Sequence, residues 1–165
     1  MRIEYLADHQ NLLPELAQAH FVQWGQLRPG ETIEARTRRL EGCCGGGGVP
    51  TVFVALVGAN LCGSALLIAH DMETLPELTP WLAGVWVAPE YRCRGYGSAL
   101  VDRVVAEARG LGVPELYLYT PDAVAFYVAL GWSVIARVEY RGQAVAVMSL
   151  DVAERPEASE ACFRS

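Results

Sequence analysis

The chain has 165 residues, 52% hydrophobic and 19% charged, with a formal net charge of −6. That length and balance fit one globular domain whose core needs no disulfide or metal staple. Disorder is excluded, and the acidity argues against general nucleic-acid binding, which leans on basic surface.

All thirteen basic residues are Arg. Without Lys there is no Schiff-base former and no P-loop lysine. The five cysteines, Cys43, Cys44, Cys62, Cys93 and Cys162, form no C-x-x-C pair and are odd in number. They read as reduced thiols, and no metal site is expected. The longest apolar runs, such as Ala65–Ala69 and Trp81–Val87, fall far short of the ~18–20 residues of a membrane span. The N-terminus, MRIEYLADHQ, lacks a signal peptide's apolar region, so the expected setting is the cytoplasm.

Arg2–Leu6 alternates apolar and polar and predicts a first strand. Asn11 to Gln26 repeats apolar residues three or four apart, as an amphipathic helix does. Thr32 can cap a second helix running to about Glu41, on which Arg36, Arg38 and Arg39 read as a solvated face. Gly45–Gly48 reads as a flexible connector rather than a phosphate cradle, because no helix start and no Lys follow it. Thr51–Val57 and Leu61–Ala69 read as a hairpin about Gly58-Ala59-Asn60. A polar loop, 70–80, leads to Trp81–Val87, an apolar strand of the buried kind. Ala88–Gly97 is an Arg- and Gly-rich loop, and Ser98–Leu111 a helix stopped by Gly112 and Pro114. Leu116–Tyr119 reads as a strand and Asp122–Leu130 as a short helix with Asp122 as its N-cap. Ser133–Tyr140 and Gln143–Asp151 make a hairpin about Arg141-Gly142. The tail, 153–165, lacks periodicity and is expected to be disordered. The class is α/β (α+β), with one domain over 1–152 and a mixed sheet covered by helices on both faces.

The chemistry concentrates where the buried strand meets the next helix, from Val85 to Leu100. Gly95 and Gly97 let backbone approach a ligand, Arg92 and Arg94 add positive charge, and the helix start offers unsatisfied N–H groups. This layout suits a phosphate or pyrophosphate. Walker A is excluded by the missing Lys, and the dinucleotide fingerprint fails at its third glycine position, Leu100.

Val87-x-Pro89 followed by Arg92-x-x-Gly95-x-Gly97 resembles the central motif of the GNAT acetyltransferases. About thirty residues on, Leu116–Tyr119 and then Ala125-Phe126-Tyr127 ending in Gly131-Trp132 resemble the family's second motif. The two cover roughly residues 50–151 in the right order. The resemblance implies a mixed, mostly antiparallel sheet flanked by helices and acetyl-CoA as acyl donor. It implies that Val85, Trp86 and Val87 pair with the pantetheine arm. Arg92, Cys93, Arg94, Gly95, Tyr96, Gly97 and Ser98 would hold the pyrophosphate. Tyr127 matches the family's general acid. A phenol is protonated at neutral pH and can supply the departing thiolate.

The implied acceptor is a primary amine, on a small molecule or a peptide N-terminus. A homodimer is among the states the family allows; nucleic acid and membrane are not expected partners. The general base is open. Some members keep a Glu on the strand before the motif, where Trp81–Val87 has no acid. His70, Asp71, Glu73 and Glu77 are candidates, beside a water chain or an amine that arrives neutral, and this loop's acids suggest a cationic acceptor, though a solvated loop would read the same. The alternative reading is a non-catalytic acyl-CoA-binding module.

Overall fold

The computed structural model describes residues 1–153; the tail expected to be disordered lies, from 154 on, outside the described residues. The elements in chain order are β1 (Arg2–Tyr5), α1 (Leu13–Trp24), α2 (Ile33–Gly42), β2 (Thr51–Val57), β3 (Asn60–Ile68), β4 (Trp81–Val87), α3 (Tyr96–Gly110), β5 (Glu115–Thr120), α4 (Val124–Ala129), β6 (Ser133–Tyr140) and β7 (Gln143–Asp151). They build a seven-stranded sheet in the order β1-β2-β3-β4-β5-β7-β6. Every neighbouring pair is antiparallel except β4 and β5.

Local chemistry sets the helix limits. The helix expected from Asn11 starts only at Leu13, preceded by a 3-10 segment, Leu6–Leu12. Pro14 explains this, because a proline lacks an N–H and fits only in the first turn. Thr32 caps α2 as expected, its Oγ1 accepting from Ala35 N at 3.0 Å. The expected Asp122 cap does not form. Thr120 Oγ1 accepts instead from Asp122 N and Ala123 N, at 3.4 and 3.0 Å, and α4 begins at Val124.

The sheet carries a core on each face. On one, Leu100, Val101, Val104 and Ala108 of α3 pack on Phe53, Leu82, Leu116 and Leu118. On the other, Leu13, Leu16 and Ala17 of α1 and Leu40 of α2 pack on Val52, Val54 and Leu66. Each fully buried aliphatic side chain contributes about 1.5–3 kcal/mol, so the two faces hold the sheet between helical layers.

The four-glycine connector is tethered rather than free. Gly48 N donates to Glu107 Oε1 of α3 at 3.2 Å, and Tyr5 Oη and Arg103 Nη1 donate to Oε2 at 3.1 and 3.0 Å. A carboxylate already occupies the position a bound phosphate would take.

Candidate active site

β4 and β5 share one paired position, Trp81 opposite Tyr117. Beyond it the two parallel strands part. β4 stays bonded to β3 on its other side, and β5 to β7. The β5-facing backbone edge of Val85–Val87 therefore lines an open wedge, where an extended ligand can pair with the amide groups other than Val87 O.

At the end of β4 the chain turns through the loop 88–95 into α3. Cys93 and Gly95 have left-handed φ values of +62° and +81°. The first carbonyl bond made in α3 is Ala99 N to Gly95 O. Among the described residues, no backbone carbonyl accepts from the N–H groups of 93–98. Six consecutive donors thus curl around a helix N-terminus, a concavity built for an anion. Arg92 is less free than the sequence implied: its Nε donates to Val87 O at 2.9 Å and clips the loop to β4. Arg94 lies over the Tyr91 ring at 5.7 Å, and that ring stacks on Tyr96 at 6.0 Å. Gly97 faces the wedge closely. A Cβ there would sit 3.7 Å from Val87 Cγ2 and 3.5 Å from the Phe126 ring.

Adjacent helix positions point in different directions, and α4 turns Tyr127 inward and leaves Phe126 exposed. Tyr127 packs edge-on against Phe126 and Trp132, in the same core as Val85, Val87 and Tyr96. Burial, with the nearby Asp122 charge, pushes its phenol up to about 12, so it keeps its proton at neutral pH.

On the α1 side, β4 bulges. Ser64 pairs with Trp86 and Leu66 with Ala83, so Gly84 and Val85 together face Ala65. Gly84 adopts φ +57°, and a Cβ there would lie 2.5 Å from Leu66 Cδ1. Ser64 Oγ donates to Gly84 O at 2.9 Å and lies 2.8 Å from His20 Nε2. A carbonyl only accepts, so the hydroxyl proton belongs to it, and Nε2 must carry the imidazole proton. Burial, then the charge of Arg36, lowers His20 to about 3, so it is neutral. Trp24 and Trp86 close over its ring. His20 and Ser64 carry no motif and were not legible in the sequence.

The same face gathers a second group past the point where the strands part. Tyr119 of β5 packs on Trp81 and, at 5.3 Å, on Tyr140. Of the four candidate bases, Asp71 alone turns inward; His70, Glu73 and Glu77 are exposed. Desolvation raises Asp71 to about 6, against the pull of Arg28, Arg141 and Arg36. Burial, with the Asp71 charge next, pushes the Tyr119 phenol up to about 12. Arg38 and Arg39 are exposed, as expected of a solvated face, but Arg36 turns inward. Arg36 and Arg39 both pair with Glu31, whose side chain is 1% exposed.

No group of three or more His, Cys, Asp or Glu that could hold a metal occurs among the described residues. No helix among them is long and apolar enough to cross a membrane. The sequence profile of the Acetyltransferase (GNAT) family matches residues 11–132. The chain belongs to that family. Its donor is acetyl-CoA, and it is an acyltransferase enzyme. The fold agrees. An aminoglycoside 6'-acetyltransferase type Ii superposes with a TM-score of 0.75 at 18% identity, covering 94% of this chain and 100% of that one. An aminoglycoside 6'-N-acetyltransferase complexed with coenzyme A gives 0.72 at 17%, covering 94% and 99%. A ribosomal-protein-alanine N-acetyltransferase from Brucella melitensis gives 0.68 at 20%, covering 92% and 99%.

Proposed function

We propose that this GNAT enzyme transfers acetyl directly from acetyl-CoA to a primary amine, with Tyr127 as general acid and Asp71 as general base. The observation that carries this reading is the wedge between β4 and β5, flanked by six free N–H groups on one face and an inward carboxylate on the other. The residues fit the donor. The N–H groups of 93–98 take the pyrophosphate, Arg94 adds charge, and Ser98 offers a hydroxyl. The free edge of Val85–Val87, Trp86 included, takes the amides of the pantetheine arm. Acetyl-CoA supplies the acyl group: the amine nitrogen bonds to the thioester carbonyl carbon, and the carbon–sulfur bond breaks.

The chain's residues manage the protons. Asp71, with its carboxyl at about 6, is ionised at neutral pH yet basic enough to take the ammonium proton. Tyr127 holds a proton for the departing sulfur. Fixed geometry in the wedge supplies much of the remaining rate. The reading includes one domain over 1–152, a cytoplasmic setting, no nucleic-acid partner and room for a homodimer.

The test pairs binding with turnover. Acetyl-CoA at 100 times its Kd should add about 2.7 kcal/mol, a rise of several degrees in Tm for a chain this size. Tyr127→Phe should keep that rise and lower kcat at least about 100-fold, the usual share of a positioned acid. Equal kcat in Tyr127→Phe removes the acid role. A Tm rise with no thiol release from any amine supports the non-catalytic module instead.

A further inference from the structure

We infer that the acceptor carries an anionic group beside its amine, an α-amino acid or a similar zwitterion, held by Arg28, Arg36 and Arg141 on the α1 side of the wedge. This rests on the acetyltransferase reading and names the substrate class of the same site. Five segments meet there: the turn after α1 with Arg28, α2 with Arg36, the 70–80 loop with Asp71, β5 with Tyr119, and the end of β6 and its turn with Tyr140 and Arg141. Tyr119 marks the place, two residues past the last paired position on β5.

The charge balance is the first argument. Arg28, Arg36 and Arg141 all lie within electrostatic reach of the Asp71 carboxylate. Four arginines, counting Arg39, gather in a chain whose net charge is −6. Glu31 is shared by Arg36 and Arg39. Arg141 lies over the Tyr140 ring at 5.1 Å, and its ion pair is with Glu73 at 3.6 Å, a side chain 84% exposed. Such a pair is worth little in water and yields readily to a better partner. Among the described residues, Arg28 makes no side-chain hydrogen bond and no ion pair. Two inward carboxylates, Asp71 and Glu31, therefore face four guanidinium groups, a surplus of positive charge.

Unmet donors are the second argument. Arg36 Nε and Tyr140 Oη are buried without a hydrogen-bond partner. Buried polar groups are normally satisfied, and these two can donate. An incoming carboxylate or phosphonate brings the acceptor lone pairs they lack, and guanidinium matches such groups in two-point contacts. A purely cationic acceptor would instead meet Arg28, Arg36 and Arg141 with like charge. The cationic acceptor suggested by the loop acids therefore does not suit this site: Glu73 and Glu77 face solvent, and Asp71 sits inside the arginine cluster.

The experiment uses matched triads: leucine, leucinamide and the aminophosphonate with the leucine side chain, with the corresponding glycine and phenylalanine sets. Thiol release is followed at fixed acetyl-CoA. Members with an anionic group should exceed their amides by roughly ten- to a hundredfold in kcat/KM, the scale of a charge-assisted hydrogen bond. Arg28→Gln and Arg141→Gln should collapse that ratio toward unity, while Arg38→Gln on the exposed face of α2 keeps it. A carboxylate preferred over a phosphonate names amino acids; the reverse names aminophosphonates or aminophosphates. Amides as fast as their acids overturn the inference. So does binding of acetyl-CoA, read by melting, with no acetylation of any member, and the donor site then still stands. Absence of acetyl-CoA binding strikes the acetyltransferase reading itself.

Discussion

Ser64→Ala isolates the buried relay that holds the β4 bulge. The hydroxyl lies 2.8 Å from His20 Nε2 and 2.9 Å from Gly84 O, with His20 1% and Ser64 0% exposed. Removing it strands an imidazole N–H away from water and leaves a half-buried backbone carbonyl without its donor. Each such group costs about 1–3 kcal/mol, so the variant should lose roughly 2–4 kcal/mol once local relaxation is allowed. At about 2–4 °C per kcal/mol for a chain this size, Tm should fall by roughly 4–16 °C. His20 stays neutral well below neutrality because burial lowers it to about 3. The fall should therefore be the same at about pH 5.5, 7 and 8.5, a flat profile that distinguishes a neutral relay from an ion pair. The bulge also aims the free edge of Val85–Val87, so the stabilisation by acetyl-CoA should shrink in the same variant. The assay is melting with and without acetyl-CoA at the three pH values. A loss under about 1 °C would mean that the packing of Leu66 and the two Trp rings holds the bulge, with no net contribution from the relay.

Two further sets of variants probe the site. Gly95→Ala meets nothing within 4 Å but needs φ +81°, a strain of about 1–2 kcal/mol; the free loop should relax and must regain that conformation to bind, so acetyl-CoA should bind roughly ten times more weakly by calorimetry. Gly97→Val should lose binding and stability together, because its methyls would enter the contact with Phe126 and Val87. Undiminished affinity in both would remove this loop from the donor site. For Asp71, kcat/KM should fall as pH drops through about 6, where the carboxylate gains a proton. Asp71→Asn should abolish that limb; an unchanged limb assigns it to another group. The linkage to stability has the opposite sense. A raised carboxyl pKa favours the fold below the unfolded value of about 3.9, and that contribution is lost as pH rises through about 6. Asp71→Asn should therefore gain Tm over the parent at pH 8 and not at pH 4.

Much of the frame was legible because its causes are local. Thr51–Val57, Trp81–Val87, Ser133–Tyr140 and Gln143–Asp151 are strands with the limits the pattern predicted. Apolar runs and turn residues act within a few positions, so short segments carry that signal. The glycine loop was legible for the same reason: its conformation is a property of Cys93 to Gly97 and the helix that follows. The helix starts were less so, because Pro14 and Thr120 act on single turns and override the apolar period.

The amino-acid order alone thus determined the strand–loop–helix proposed to hold the donor and the strands that flank it. The far side of the wedge was decided only by tertiary structure. His20 reaches Ser64 across 44 positions, and Ser64 reaches Gly84 across 20. Nothing in the local pattern distinguishes Asp71 from Glu73 and Glu77; the turn of the 70–80 loop half-buries one and leaves the others in water. Arg28, Arg36 and Arg141 come from three separate segments and share a neighbour only because the sheet order brings those segments to the parting of β4 and β5. Contacts of this kind depend on register and packing between distant elements, which no window along the chain contains.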